Sequence, residues 1–221
     1  MTLMYLDIES VASTDASVVS VKCPGNIKKP ESIAKWEAED RPQAILDALA
    51  NTVFDGTYGK IVCIGYALDD GPVSASCCDD EEKLIWDLFS EISTATLIPP
   101  FNHVLDLTVC GHNVAWFDLP FLRKRAMIHN IKPPRALRDV FAAKPWSESI
   151  ADTMRMWDSD PSKRIKLDAL CKVLGIPTPK GDMDGSKVGE AFAAGEYSKI
   201  ATYCAADVEA TRACYKRMTW Q

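Results

Sequence analysis

Asp7 and Glu9 stand one residue apart in Met1 to Glu9, a stretch that reads as a short strand. Strand side chains alternate between faces, so Leu3, Tyr5, Asp7 and Glu9 share one face and Thr2, Met4, Leu6 and Ile8 the other. Two carboxylates therefore end one face of a strand that otherwise reads as buried. Burying such a pair unpaired is very costly, and a divalent metal with oxygen ligands is the natural positive partner. By itself the pair is weak, because Asp-x-Glu is most often a solvated strand end. Two later acids change the balance. Asp118 opens a helix directly after a strand, and Asp207 lies on a long final helix with Tyr203 four residues earlier on the same face.

The elements that must position these groups follow from pattern. Lys60 to Leu68 is a nearly continuous apolar run and predicts a central buried strand. Asp69-Asp70-Gly71-Pro72 predicts a turn, and Val73 to Cys78 a returning strand. Asp79 or Asp80 caps a helix running to about Ser93, Pro99-Pro100 interrupts, and Leu105 to Gly111 is the next core strand. The helix opening near Asp118 holds Pro120 in its first turn, which sets Asp118 above a strand end, where open α/β sheets form their sites. Ser149 to Asp152 reads as a short strand and Leu167 to Leu174 as a helix stopped by Gly175. Ser186 caps Lys187–Ala194, and Glu196 to Trp220 is the last helix. Residues 11–59 form a long, partly helical insertion between the first two strands: Ser32–Glu39 and Gln43–Ala50, broken at Pro42. The expectation is one domain over residues 1–221, a mixed central β-sheet with helices on both faces.

Composition narrows the class. The 221 residues suffice for one α/β domain, and 47% hydrophobic with 25% charged content is ordinary for a globular protein. A net charge of −6 does not suggest a nucleic-acid binder, although local basic clusters can steer a polyanion. The eight cysteines contain no Cys-x-x-Cys pair, which argues against structural zinc, and several read as small buried hydrophobes. The first residues do not read as a signal peptide, and no apolar run reaches membrane-spanning length. A reducing cytoplasm and no membrane partner are expected.

The motifs Asp7-Ile8-Glu9, Asn113-Val114-Ala115-Trp116-Phe117-Asp118 and Tyr203-Cys204-Ala205-Ala206-Asp207 occur in that order on a strand, a helix start and a late helix. Together they resemble the three exonuclease motifs of the DEDD superfamily of 3′–5′ exonucleases, with its ribonuclease-H-like fold. Tyr203 points to the tyrosine branch, since the histidine branch would carry His at position 202, which is Thr. Within that branch the chain looks most like standalone exonucleases related to the proofreading domain of family-B DNA polymerases. Lys166 to Lys216 adds to the likeness through KLDALCKVLGI, the Asp184-Gly185-Ser186-Lys187-Val188 turn and YCAADVEAT.

The resemblance implies two divalent cations, magnesium or manganese, held by Asp7, Glu9, Asp118 and Asp207. Tyr203 would orient the attacking water, because an unperturbed tyrosine is a poor base at neutral pH. It implies release of nucleoside 5′-monophosphates from single-stranded or frayed DNA 3′ ends. RNA as substrate and a non-catalytic nucleic-acid-binding module are the alternatives. A separate polymerase and a second copy of the chain are partners the resemblance leaves open.

Candidate substrate contacts are Ile8, Ser10, Asn113 and Phe117, with Lys163, Arg164 and Lys166 for phosphate. Ser10-Val11 departs from the common pattern in which Thr follows the first motif, which touches the contact to the terminal sugar. Arg123-Lys124-Arg125 is a second basic cluster. Each has a plainer role: a strand-to-helix turn cap for Asn113, core for Phe117, solvated faces for the charge runs. Trp116 reads as packing, His112 as a hydrogen-bonded loop residue, Asp152 as a helix cap or a partner of the acids, and Asp182 and Asp184 as turn residues.

Overall fold

The computed structural model describes residues 2–98, 103–158, 160, 162–178 and 183–221. Met1, Pro99, Pro100 and Asp182 lie outside the described residues. In chain order the elements are β1 (Thr2–Val11), α1 (Pro30–Glu39), α2 (Arg41–Asn51), β2 (Lys60–Leu68), β3 (Ser74–Cys77), α3 (Glu81–Thr96), β4 (Leu97–Ile98), β5 (His103–Val104) and β6 (Leu107–Gly111). There follow α4 (Asp118–Ile128), α5 (Arg135–Ala142), β7 (Ile150–Asp152), α6 (Thr153–Trp157), α7 (Leu167–Leu174), α8 (Val188–Ala193) and α9 (Tyr197–Met218).

The main sheet runs β3-β2-β1-β6-β7 and is mixed. β1 pairs antiparallel with β2 and parallel with β6, and β6 pairs parallel with β7 through the crossover of α4 and α5. β1 and β2 lie inside the sheet, which is why KIVCIGYAL needs no polar face. The alternation expected in β1 holds. Met4, Leu6 and Ile8 enter a core built with Leu84, Leu88 and Phe89 of α3, Phe121 and Leu122 of α4, and Leu137 of α5. Tyr5 faces the other side, beside Val208 and Tyr215 of α9. Helices therefore cover both faces, with α9 packed across β1, β2 and β3.

Asp80 caps α3, its carboxylate accepting the Lys83 N–H at 2.9 Å, and Gly175 ends α7 at φ +68°. Several boundaries differ from the sequence expectation. The break in the insertion falls at Asp40, and Pro42 sits in the first turn of α2, where its missing N–H costs nothing. β6 begins at Leu107 rather than Leu105. Asp184, not Ser186, caps the turn before α8, accepting the Ser186 N–H at 3.0 Å. α5 was not anticipated, although Pro133-Pro134 precede it and Ala136, Leu137 and Val140 form its buried stripe. No described helix is long and apolar enough to cross a membrane.

Candidate active site

The site forms where β1 outruns its parallel neighbour. β6 accompanies β1 from Thr2 to Tyr5 and then stops at Gly111. A side chain at Gly111 would stand 2.5 Å from the Cβ of Val114 and 2.9 Å from the Leu6 carbonyl, so only glycine lets the chain fold back there. Asn113 follows at φ +68°, a left-handed conformation that asparagine tolerates better than most residues. The turn then delivers Asp118 to the start of α4. There its Oδ1 accepts the Ile8 N–H at 3.0 Å, across from the last residues of β1. A register shift between Glu9 and Ser10 re-aims the strand directly after the second acid.

α9 supplies the rest. Gly65, paired with Asp7 across β1 and β2, admits the helix closely: a Cβ there would lie 2.7 Å from the Cys204 sulfur. The Cys204 thiol donates to the Asp7 carboxylate at 3.4 Å. Tyr203 donates its hydroxyl to Asp207, one turn on. Ligand atoms of Asp7, Glu9 and Cys204 all lie within 4.8 Å of one another. Tyr203, Asp207 and Lys166 line a cavity of about 460 Å³.

The electrostatics are those of concentrated negative charge. Burial, then Glu9, Asp118 and Asp207, raise the Asp7 carboxyl well above its ordinary range, against the Cys204 thiol hydrogen bond. Burial, Asp207 and Asp118 do the same to Glu9. Asp118 is pushed up to about 7 by burial, with Asp152 and Asp207 adding to it against the hydrogen bonds from Ile8 and its own N–H. Burial and the Asp207 and Glu9 charges carry the Tyr203 hydroxyl far above the usual tyrosine range. A buried cluster of this kind calls for hard cations, and its carboxylate oxygens suit them. Cys204 adds a softer donor that the sequence reading passed over; its place between Tyr203 and Asp207 was the available signal.

The other expected contacts are placed less uniformly. The Ile8 side chain is buried in the opposite core, so only its backbone reaches the site. The Ser10 hydroxyl donates to the Val53 carbonyl at 2.8 Å and is thereby committed to anchoring the insertion. Phe117 is half-buried against Phe121, ring centroids 5.6 Å apart. Arg125 is spent on Glu81, donating at 2.9 and 2.6 Å, and Lys124 pairs with Asp55 at 2.5 Å, which removes most of the 123–125 cluster as phosphate contacts. Lys163 and Arg164 are exposed and line a second cavity beside Asn113, while Lys166 lines the first. Trp116, expected in the core, is 58% exposed.

Two residues hold the Asp118 turn. Asp152, at the end of β7, accepts the N–H groups of Asn113 at 3.0 Å and Ala115 at 3.1 Å while capping α6 through Met154. His112 bridges the Thr153 hydroxyl and the Ile165 carbonyl. Burial holds its pKa below the ordinary value, and the Ile165 carbonyl, an acceptor only, requires the ring proton on Nε2.

The mixed five-stranded sheet, with acids at the end of its leading strand and on two flanking helices, is similar in fold to the exonuclease domain of a family B polymerase. The chain superposes on the family B DNA polymerase from the hyperthermophilic archaeon Pyrobaculum calidifontis with a TM-score of 0.62 and 15% identity, over 99% of this chain and 24% of the polymerase. At that identity the likeness is one of fold, and the chain spans about a quarter of the polymerase's length. Residues 70–221 match the family described as predicted 3′–5′ exonuclease related to the exonuclease domain of PolB, and the chain belongs to that family. A search of curated proteins gave no match. The matched stretch holds Asp118, Tyr203 and Asp207; Asp7 and Glu9 precede it and join them through the fold.

Proposed function

We propose that the chain is a metal-dependent 3′–5′ exonuclease that removes nucleoside 5′-monophosphates from single-stranded or frayed DNA 3′ ends. The observation that carries this reading is the convergence of Asp7, Glu9, Asp118 and Asp207, from three separate elements, on one buried and mutually repelling cluster. The four side chains would hold two divalent cations, magnesium or manganese, with Asp7 common to both, Glu9 and Asp207 at one and Asp118 at the other. Such a pair, when bound, supplies Lewis acidity and a nucleophilic water at neutral pH. Tyr203, whose proton is held tightly and given to Asp207, would orient that water by accepting from it at the phenol oxygen, and would not act as base. Lys166, at the rim of the same cavity, would meet the phosphate.

The test is degradation of a 5′-labelled single-stranded DNA with magnesium, manganese or EDTA, beside Asp7→Ala. A ladder shortening from the 3′ end, absent in EDTA and reduced more than about 100-fold in the variant, is expected, the scale of losing one preorganised charge-stabilising group. Unchanged release by Asp7→Ala would overturn the proposal. A matched RNA run in parallel decides the sugar.

A further inference from the structure

The second cavity, of about 370 Å³, contains two tryptophans that a folding argument does not require. Trp116 and Trp146 are 58% and 68% exposed, and both line it. Large apolar rings kept in water beside a polar rim mark a binding surface rather than a core. The surroundings are cationic. Arg155, Lys163 and Arg164 line the same cavity, and the Lys144 ammonium lies over the Trp146 ring at 5.7 Å. Two acids, Asp158 and Asp160, also line it, and the three cations with Lys144 outnumber them. Asp158 faces Lys163 at 3.8 Å, and Asp160 accepts the Ser162 N–H and hydroxyl at 2.9 and 2.7 Å.

One short basic segment runs from this cavity to the carboxylate site. Lys163 and Arg164 line the tryptophan cavity, and Lys166, two residues on, lines the cavity of Tyr203 and Asp207. Between them the Ile165 carbonyl is pinned by His112 at 2.8 Å, and Asn113, the next residue, again lines the tryptophan cavity. Arg155 donates to the Pro145 carbonyl at 2.7 Å, which fixes the backbone beside Trp146. The platform is thus held rigidly to the turn that carries Asp118.

We propose that the strand upstream of the reacting 3′ end crosses this cavity, bases stacked on Trp116 and Trp146 and phosphates along Arg155, Lys163 and Arg164. The proposal rests on the exonuclease reading and adds the residues that would carry the strand upstream of the reacting end. Stacking needs a free base face, which duplex hides, and aromatic stacking with a cationic track serves single strands of any sequence. Charge favours a polyanion over an apolar peptide here.

The test measures binding apart from turnover. Asp7→Asn protein is titrated into 5′-fluorescein-labelled oligo(dT) or oligo(U) of twelve residues, and fluorescence anisotropy is followed. A saturable rise is expected, and Trp116→Leu with Trp146→Leu should weaken affinity for the preferred strand about tenfold or more. Trp86→Leu, on α3 and 61% exposed, should leave affinity unchanged. In the active enzyme the double variant should raise KM for the twelve-mer by a similar factor and leave hydrolysis of a dinucleotide intact. Affinity within twofold of the parent, or equal binding of the matching duplex, would overturn the platform. Binding that behaves as expected with no cleavage of any strand by the unsubstituted chain would instead sink the exonuclease reading.

Discussion

Two buried carboxylate sites share α4, which gives Asp118 to one and Arg125 to the other, and they are built on opposite plans. Glu81, at the start of α3, is 4% exposed. Burial raises its pKa, but Arg125 at 2.9 and 2.6 Å, His129 at 2.7 Å and the Ile61 N–H at 2.6 Å outweigh that and hold it below the ordinary glutamate value. Asp7, Glu9 and Asp118 are raised by the same burial, and their nearest charged influences are further acids. One site carries its counter-charge in the sequence, and the other, on the function proposed above, would take it from bound cations. A fold tolerates the second arrangement when function requires it, at a cost in stability.

The sharpest break of this comparison is a pair of isosteric changes. Asp7→Asn should abolish metal-dependent cleavage, a loss of more than about 100-fold, yet raise the melting temperature in EDTA by relieving repulsion. Glu81→Gln should leave cation binding intact and destabilise by about 3–5 kcal/mol, because Arg125 would stay buried without its partner. Thermal denaturation of both proteins with EDTA and with manganese checks this. A fall in melting temperature for Asp7→Asn in EDTA would show that Asp7 is a structural acid like Glu81.

The two sites also respond to pH with opposite sign. Asp118 is pushed up to about 7, so the native protein binds protons that the unfolded chain releases above the ordinary aspartate value. Stability from this cluster therefore falls as pH rises from about 4 to about 7, and stays low above that. Glu81 has a lowered pKa, so its contribution is present above the unfolded value and disappears as pH falls below about 4.5. The increase in melting temperature caused by magnesium or manganese should accordingly grow from pH 5 to pH 8, since cations compete with protons for the same oxygens. The difference between the parent and Glu81→Gln should shrink only in acid. A cation effect that is flat across pH 5 to 8 would contradict the assignment of Asp118 to the metal cluster.

The sequence made the frame of the site legible because its periodicities were long or its chemistry costly. The parity of β1, the unbroken apolar run of β2 and the Tyr203–Asp207 spacing on α9 each transferred directly to the structure. Trp116 was misread because position within a motif says nothing about which way a turn residue points. The left-handed backbone at Asn113 and the anchors on Asp152 set that direction, and both come from tertiary contacts. Arg125 read as one member of a solvated basic run because its partner, Glu81, is 44 residues away in sequence. α5 and α6 are short, eight and five residues, and gave little period to read. Trp146 sits in a connection with no pattern at all, so the tryptophan cavity was visible only once both residues lined one space.

The smallest expected effect tests how closely the acid site depends on packing it does not itself provide. Gly65→Ala adds one methyl on the strand that faces α9, 2.7 Å from the Cys204 sulfur and 3.1 Å from Cγ2 of Val208. The sheet is held on both sides, so α9 must give, and with it Tyr203 and Asp207 relative to Asp7. Overpacking of this size costs about 1–3 kcal/mol, and a displacement of a few tenths of an ångström should lower cleavage about tenfold. Adding Cys204→Ala removes the clashing sulfur and should recover most of both losses. Cys204→Ala alone should be nearly silent in turnover if the thiol only packs and donates to Asp7. A double variant no better than Gly65→Ala would place the strain at Val208 instead, on the turn of α9 beyond Asp207. Recovery would show that the spacing between β2 and α9, set by a glycine and a thiol, fixes the distance between the acids on the strand and those on the helix.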